Sequence, residues 1–330
     1  MFQVAVSCTH GTQHLHRQGG VLAASAHHAG GGDPSDNGDK SMRARRAFVR
    51  PALTGRRVAA ALALAAASAT SLPAFAAVTL PALPEAIKAK GVLNAGVRCD
   101  QPPYGYQDEK GGYAGVETDM ARQIAKWAFG DETKIAFTCV TAENRIPQLT
   151  AGRVDLLIAT LGATPERARV IDFTKPYRWG ASGVLVKADS PYQKVADLDG
   201  QTVVTPKGSV QAKWFEDKMP KVTTLRLNGT ADSLQAFKQG RAVAYAHDGA
   251  TLVVIADQDK SMRVLDDAFL ISDAAIGVRK NEEGWRDYLT ASIAKMQDEK
   301  LFRGLLAKWV PEGIRPYYVN VFENPPPPNK

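Results

Sequence analysis

From residue 91 onward, short apolar runs and longer amphipathic segments alternate along the chain. Gly91–Val97, Lys134–Cys139 and Val154–Ala159 are bounded by turn residues, which is typical of buried strands. The segments 115–129 and 144–151 between them have helical apolar spacing, and Glu117 lies in the first turn of the former, where the helix dipole favours acids. This alternation predicts a doubly wound α/β sheet.

The same alternation begins again after residue 200 and predicts a second α/β lobe, as the length of 330 residues also suggests. Its predicted strands are 201–205, 223–227 and 243–246, and its predicted helices are 209–219, 231–239 and 251–256. Two extended apolar segments, 180–187 and 271–279, are placed to cross between the halves. The helical stretch 285–310 would return to the first lobe. The predicted boundaries are 77–182 with 275–330 for lobe 1 and 183–274 for lobe 2.

Ahead of this region, residues 42–76 have the pattern of a secretory signal peptide. Arginines between Arg43 and Arg57 precede the apolar stretch Val58–Leu64, and Ala74-Phe75-Ala76 forms an A-x-A cleavage site. The apolar run is short, rich in small residues and closed by Pro73, so it is a poor membrane span. We therefore predict export to the periplasm with cleavage near Ala76.

Two N-terminal features bear on how export begins. Residues 1–41 precede the signal, so we expect them to be a non-native or dispensable extension, with Met42 as the true start. The pairs Arg45-Arg46 and Arg56-Arg57 leave twin-arginine export open beside the ordinary secretory route.

The net charge of +7 suggests an acidic partner, but the excess of positive charge is concentrated in the N-terminal residues and does not support one. Residues 1–76 hold eight Lys/Arg and three Asp/Glu, which leaves 33 against 31 from Ala77 onward, with no basic run. We therefore expect no nucleic-acid partner. The exported part has two cysteines, Cys99 and Cys139, which predict one disulfide in an oxidising compartment; two free thiols are the alternative.

The strand ends nominate a binding site. In open α/β sheets, ligands bind beyond the carboxyl ends of the strands. That rule selects the loops at Arg98, 141–145, 160–167, 208–211 and Asp248, which two lobes would bring to a shared cleft.

At these loops, residues 88–312 resemble the periplasmic amino-acid receptors of ABC importers, the polar-amino-acid cluster of type II solute-binding proteins, family 3. The motifs that carry the resemblance are Gly115-Val116-Glu117-Thr118-Asp119-Met120, Asn144-Arg145-Ile146-Pro147-Gln148-Leu149, Gly152-Arg153-Val154-Asp155, Thr160–Arg167 and Asp172–Tyr177. The resemblance implies a type II periplasmic binding protein: two doubly wound α/β lobes joined by two crossing strands. It also places the strands before Cys99 and Cys139 side by side, so that a disulfide would brace the loop of Arg98.

The resemblance implies binding roles in lobe 1. Arg167 would hold the ligand's α-carboxylate with two N–H groups. Thr160 would contact the α-ammonium through its hydroxyl and carbonyl, and Gly162 would offer its backbone N–H. The alternative for Arg167 is a surface ion pair.

In lobe 2, Ser209 and Val210 open a helix whose amides would add to the α-carboxylate. Asp248 would accept hydrogen bonds from the α-ammonium, with a surface ion pair again as the alternative. His247 precedes it on the strand and faces the other way, so we expect a satisfied or exposed histidine, not a metal ligand.

The ligand's side chain is predicted from Arg98 and Arg145. Similar receptors for glutamate or aspartate carry a cation and an arginine at these two positions. With Arg167 the count is +3 against −1 for Asp248, and a neutral amino acid would leave guanidinium groups without partners. We therefore predict glutamate or aspartate.

The alternative is that Arg98 pairs with Asp100 or Glu117 and faces water, while Arg145 caps local loops. Glutamine or another neutral polar amino acid would then be the ligand.

The resulting hypothesis is a monomeric receptor that closes on its hinge around an amino acid and delivers it to an inner-membrane ABC permease. No cofactor and no metal is expected, and we predict that it is not an enzyme. A cyclohexadienyl-dehydratase-like enzyme on the same fold and a sensor or interaction module remain the rivals.

Overall fold

The computed structural model describes residues 77–325. The predicted extension 1–41, the signal peptide 42–76 and the tail 326–330 lie outside the described residues.

Strands and helices alternate through most of this range. The strands are β1 (Leu93–Val97), β2 (Asp100–Gln101), β3 (Gly105–Gln107), β4 (Tyr113–Ala114), β5 (Ile135–Cys139), β6 (Leu156–Ile158), β7 (Ile171–Phe173), β8 (Arg178–Lys187), β9 (Thr202–Pro206), β10 (Thr223–Leu227), β11 (Ala244–Asp248), β12 (Met262–Val264), β13 (Leu270–Ala274) and β14 (Gly277–Arg279). The helices are α1 (Glu85–Lys88), α2 (Val116–Phe129), α3 (Arg145–Thr150), α4 (Val210–Lys218), α5 (Thr230–Lys238), α6 (Gly249–Gln258), α7 (Glu283–Asp298), α8 (Leu301–Trp309) and α9 (Arg315–Glu323).

Two larger sheets define two lobes. The lobe 1 sheet has the order β5-β1-β6-β14-β7, with β1 parallel to β5 and β6. The lobe 2 sheet has the order β10-β9-β11-β8-β12, with β13 also paired to β8. In lobe 2, β9, β10 and β11 run parallel, whereas β8 is antiparallel to β11. A small sheet, β2-β3-β4, stands apart from both.

Two strands connect the lobes, as the apolar segments predicted. The chain passes from β7 of the first sheet into β8 of the second, and it returns from β13 to β14. β8 and β13 pair antiparallel, from Arg178 opposite Ala274 to Ser182 opposite Leu270. The residue boundaries predicted for the lobes stay a prediction.

The lobe 2 sheet is buried on both faces. Val184 and Val203 pack with Phe215 of α4, while the next residues along the same strands, Leu185 and Val204, pack on the opposite face. Successive side chains on a strand point to opposite faces, so an apolar run is the expected sequence for such a strand. These helix-covered layers fix the strand ends that carry the lobe 2 part of the site.

The predicted helical stretch 285–310 is two helices in the structure. Lys300 separates α7 from α8 with a left-handed backbone, φ 55°, which a continuous helix does not allow. α8 returns to lobe 1, where Lys308 and Trp309 donate to Asp119 of α2 at 2.7 and 2.8 Å. α9 was not predicted, and its buried Phe322 completes the lobe 1 core.

A disulfide joins Cys99, just after β1, to Cys139, at the end of β5, with a Cα–Cα distance of 5.4 Å. β1 and β5 are parallel neighbours, with Val97 opposite Cys139. The bond therefore fixes the loop that follows Arg98.

Candidate functional site

The cleft between the lobes contains a cavity of about 40 Å³, and its wall brings together every residue predicted for the site. These residues are Arg98, Arg145, Thr160, Gly162, Arg167, Ser209, Val210 and Asp248. The same wall contains Gln211, which lies in the selected loop 208–211, and residues that sequence reasoning missed: Gln101, Arg178, Pro206, Asp273 and Ala274. The binding roles assigned to the predicted residues stay predictions.

Arg98 follows β1 and is buried in this wall with 2% exposure. Its Nη2 and Nε lie 2.6 and 3.2 Å from Asp100 Oδ1, and Nη2 also donates to Thr230 Oγ1 of lobe 2 at 2.9 Å. The structure therefore supports the alternative that Arg98 pairs with Asp100. The expectation that Arg98 would then face water is wrong, because its side chain is buried. The charge of Arg98 already has a partner within the protein.

Arg145, at the start of α3, is also buried, with 3% exposure. Its Nη1 donates to the carbonyls of Ala159 and Thr160 at 2.6 and 3.3 Å, while its buried Nε has no partner among the described residues. Burial, and then the neighbouring cations Arg167 and Arg98, hold the pKa of Arg145 well below its ordinary value. An anion placed beside Arg145 would be stabilised.

Thr160 is held in a left-handed conformation, φ 49°, which costs a threonine about 1–2 kcal/mol. Its amide donates to both carboxylate oxygens of Glu117, at 3.0 and 3.1 Å, and its hydroxyl donates to Gln101 Oε1 at 3.1 Å. Glu117 is fully buried and also accepts from the Tyr177 hydroxyl. Burial raises the pKa of Glu117, against the lowering effect of Arg178 and Tyr177.

Glu117 therefore does more than complement the dipole of α2. It fixes the backbone of Thr160 at the cleft, and this links the motif around Glu117 to the motif that begins at Thr160. Sequence reasoning had placed Glu117 in the first turn of its helix and as an alternative partner of Arg98, but it did not find the contact with Thr160, which joins residues 43 apart.

Arg167 spans the two lobes. Its Nη1 donates to the Gly162 carbonyl at 2.9 Å, and its Nη2 reaches the Gly208 carbonyl of lobe 2 at 3.2 Å. Burial lowers the pKa of Arg167, against the raising effect of Glu166. Within residues 77–325 this guanidinium has hydrogen bonds to carbonyls and no ion pair, so it is available to a carboxylate.

Arg178, the first residue of β8, forms a buried ion pair with Asp248, with Nη2 3.0 Å from Oδ2. Its guanidinium lies over the ring of Tyr104, 4.5 Å from the centroid. Burial opposes the charge of Arg178, but Asp248 and the neighbouring groups raise its pKa well above the ordinary value. A charged residue at the start of an apolar crossing segment was the signal that could have revealed it.

Asp248 also caps α6, where Oδ1 accepts from the Thr251 amide at 3.3 Å. It ends β11 and is nearly buried. The carboxylate predicted to receive an α-ammonium is therefore already bound to a protein cation.

Helix α4 presents its N-terminus to the cleft. The Ser209 hydroxyl caps it by accepting from the Ala212 amide at 3.2 Å, and Gln211 is fixed by a 2.8 Å bond to Ser182 Oγ. Just before this helix, Gly208 has φ 75°, and a Cβ on it would lie 2.8 Å from Glu143 Cα of lobe 1. Only glycine allows this approach of the two backbones.

His247 differs from its prediction. It is buried and lines the cavity; Nε2 lies 3.2 Å from Thr230 Oγ1, and Nδ1 has no partner among the described residues. Burial lowers the pKa of His247 to about 4, against the raising effect of Asp248. The imidazole is therefore neutral at pH 7. Between residues 77 and 325, no three His, Cys, Asp or Glu side chains form a group that could hold a metal ion.

The charge count that favoured an acidic ligand needs correction. The wall contains a fourth arginine, Arg178, and a second carboxylate, Asp273, besides Asp248. Asp100 is bound to Arg98, and Glu117 lies behind Thr160. Four guanidinium groups thus face four carboxylates in this region, and the excess of +2 is absent.

The family model for bacterial extracellular solute-binding proteins, family 3, matches residues 93–312. This chain belongs to that family. Its fold is that of a type II periplasmic binding protein, shared with solved structures of the family.

Three proteins that are similar to this chain differ in the ligand or role that their names state. A glutamine-binding protein of Geobacillus stearothermophilus is 37% identical over 208 residues, 62% of this chain and 79% of that protein. The solved solute receptor for L-cysteine of Neisseria gonorrhoeae is 32% identical with a TM-score of 0.66, covering 68% of this chain and 92% of that chain. The ancestral amino acid-binding protein AncCDT-1, a precursor of cyclohexadienyl dehydratase, is 25% identical with a TM-score of 0.64, covering 69% and 99%.

None of the helices between residues 77 and 325 has the length and apolar character needed to cross a bilayer.

Proposed function

We propose that this protein is the periplasmic receptor of an ABC importer and captures an L-amino acid with an uncharged polar side chain, with glutamine as the first candidate. The observation that carries the proposal is the bond between Arg98 and Asp100. Because this pair is neutral as a unit, the ligand's side chain need not bring a second negative charge. The named relatives that bind glutamine or L-cysteine support the same class.

The backbone end of the ligand would lie between Arg167 and Asp248. Arg167 offers N–H groups to the α-carboxylate, and the amides at the start of α4, with the helix dipole, add to it from lobe 2. Asp248 and Thr160 accept from the α-ammonium. Arg167, which has no ion pair among the described residues, and Asp248, which is paired with Arg178, both line the cavity, and this supports a zwitterion as the ligand.

A second candidate ligand is glutamate or aspartate. It is favoured by Arg145, whose buried guanidinium has no carboxylate partner among the described residues and lies near two other cations. A side-chain carboxylate beside Arg145 would remove an unfavourable buried charge. One titration series with glutamine and glutamate separates the two candidates.

Capture is proposed to proceed by hinge closure about β8 and β13. The closed form would be recognised by an inner-membrane permease, and the protein is proposed to act as an exported monomer. The sequence has no G-x-x-x-x-G-K-[ST] motif, so ATP hydrolysis would be supplied by another subunit.

We also propose that the ligand is released unchanged. The resemblance to a precursor of cyclohexadienyl dehydratase makes turnover of prephenate or arogenate the relevant check. Asp248 supports an amino acid as the ligand in preference to prephenate, because its carboxylate is suited to an α-ammonium and prephenate has none. Product formation from either compound would show that the protein is an enzyme and that the proposed receptor function is wrong.

Thermal unfolding of the purified protein against the twenty amino acids tests the proposal. At a ligand concentration 100 times Kd, a true ligand stabilises by about 2.7 kcal/mol. We expect the largest rise in Tm from glutamine or another uncharged polar amino acid. If glutamate and aspartate raise Tm and glutamine does not, the second candidate is correct; if no amino acid does so, the receptor function is wrong.

A further inference from the structure

Asp100 is held next to the ligand cavity but is not part of its wall. Arg98 lines the cavity, and Asp100 sits behind it at the start of β2. A single oxygen, Oδ1, accepts from both Nη2 and Nε of Arg98, at 2.6 and 3.2 Å. The two side chains are 2% and 20% exposed, so solvent and salt screen this pair little.

The other carboxylate oxygen of Asp100 is fixed from lobe 2. Oδ2 accepts from the Thr230 amide, in the first turn of α5, at 2.6 Å. Gly229 permits this approach, because a Cβ there would lie 2.6 Å from the same oxygen. With both oxygens engaged, Asp100 cannot turn away from Arg98 when the lobes are closed.

From this arrangement we infer that Asp100 is a specificity-determining residue, which neutralises Arg98 and so selects ligands with an uncharged side chain. The inference rests on the proposed function and deepens it. A ligand carboxylate at Arg98 would compete with Asp100 for the same guanidinium and would lie near its negative charge. An amide oxygen accepts a hydrogen bond from Arg98 without that repulsion.

The contact with Thr230 gives Asp100 a second possible effect, which is to hold the lobes together. Loss of such a contact would weaken all ligands by the same factor. Loss of the neutralising charge would change glutamate and glutamine differently. These two ligands have nearly the same shape and differ by one charge, so the ratio of their affinities isolates the inferred role.

The test is isothermal titration of L-glutamine and L-glutamate at pH 7.5 into four proteins: the native protein, Asp100→Asn, Arg98→Gln and the double variant. In Asp100→Asn, we expect the ratio of affinities to move toward glutamate by about tenfold or more, because Arg98 then needs an anion. In Arg98→Gln, which leaves the charge of Asp100 in place, the ratio moves toward glutamine by a similar factor. The double variant has neither charge and returns to within about threefold of the native ratio.

Two results would overturn the inference. One is an equal change in both affinities in Asp100→Asn, which would make Asp100 a contact between lobes only. The other, which remains informative if Asp100→Asn does not fold, is an unchanged ratio in Arg98→Gln. Failure of the native protein to bind any of the twenty amino acids would overturn the proposed function and the inference together, whereas binding with an unchanged ratio in the variants overturns the inference alone.

Discussion

The two walls of the cleft differ in how they carry charge. In lobe 1, Arg98, Arg145 and Arg167 are held by carbonyls and by Asp100. In lobe 2, the charge comes from the start of α4 and from the carboxylates of Asp248 and Asp273. Guanidinium groups keep their charge at any physiological pH, whereas helix termini act only at close range. We therefore propose that lobe 1 holds the ligand and that lobe 2 completes the site on closure.

Arg178 connects the two walls. It begins a strand that crosses between the lobes, and it pairs with Asp248 of lobe 2. From this comparison we expect lobe 1 substitutions to remove binding chemistry and lobe 2 substitutions to act through closure.

The largest expected effect is that of Arg167→Ala. Loss of the guanidinium leaves the α-carboxylate unpaired, so affinity for every amino-acid ligand falls by about 2–5 kcal/mol. The matched control is Arg169→Ala, an exposed arginine in the same turn, which changes the net charge equally. Calorimetric titration measures both, and equal affinities in the two variants would remove Arg167 from the site.

Gly208→Ala is expected to come next, and it tests closure. Its Cβ would meet Glu143 of lobe 1 in the closed form, so all ligands weaken by about 1–3 kcal/mol. Gly200→Ala is the matched control, because Gly200 has the same φ of 75° with nothing within 4 Å of its Cβ. If both substitutions lower affinity equally, backbone strain and not the interlobe contact is responsible.

The third prediction concerns pH and the lobe 2 wall. Since the folded pKa of His247 is about 4 and an unfolded histidine titrates near 6.5, the unfolded state binds more protons between these values. Stability therefore falls as the pH drops through this window, by about 2 kcal/mol between pH 7.5 and 5. His247 is the only histidine after residue 76, so His247→Gln should flatten this part of the profile in urea unfolding. Parallel profiles for the two proteins would contradict the assigned pKa.

The smallest effect is expected from Ser209→Ala. Loss of the cap on α4 costs about 1 kcal/mol of unfolding free energy. Because the same helix end is proposed to bind the α-carboxylate, ligand affinity should fall a few-fold as well. A change in stability with no change in affinity would show that α4 does not contribute to binding.

The sequence predicted the elements that depend on local pattern. Apolar runs such as 154–159 and the crossing segments correspond to strands, because burial on both faces leaves a continuous signal. The same pattern did not separate α7 from α8, because the break depends on the backbone of a single residue, Lys300.

The candidate site likewise has a part that local sequence pattern predicted and a part that it did not. The strand-end rule selected loops that do meet at one cavity. The rule could not predict which charged side chains pair with each other. Arg98 with Asp100 and Arg178 with Asp248 are decided by side-chain direction and by contacts across the lobes, and the charge count therefore failed.

A crystal structure of the protein with L-glutamine tests the central claim most directly. The account predicts glutamine in the interlobe cleft, with its α-carboxylate on Arg167 and its α-ammonium on Asp248. Glutamine bound outside this cleft, or inside it with neither residue in contact, would contradict the account.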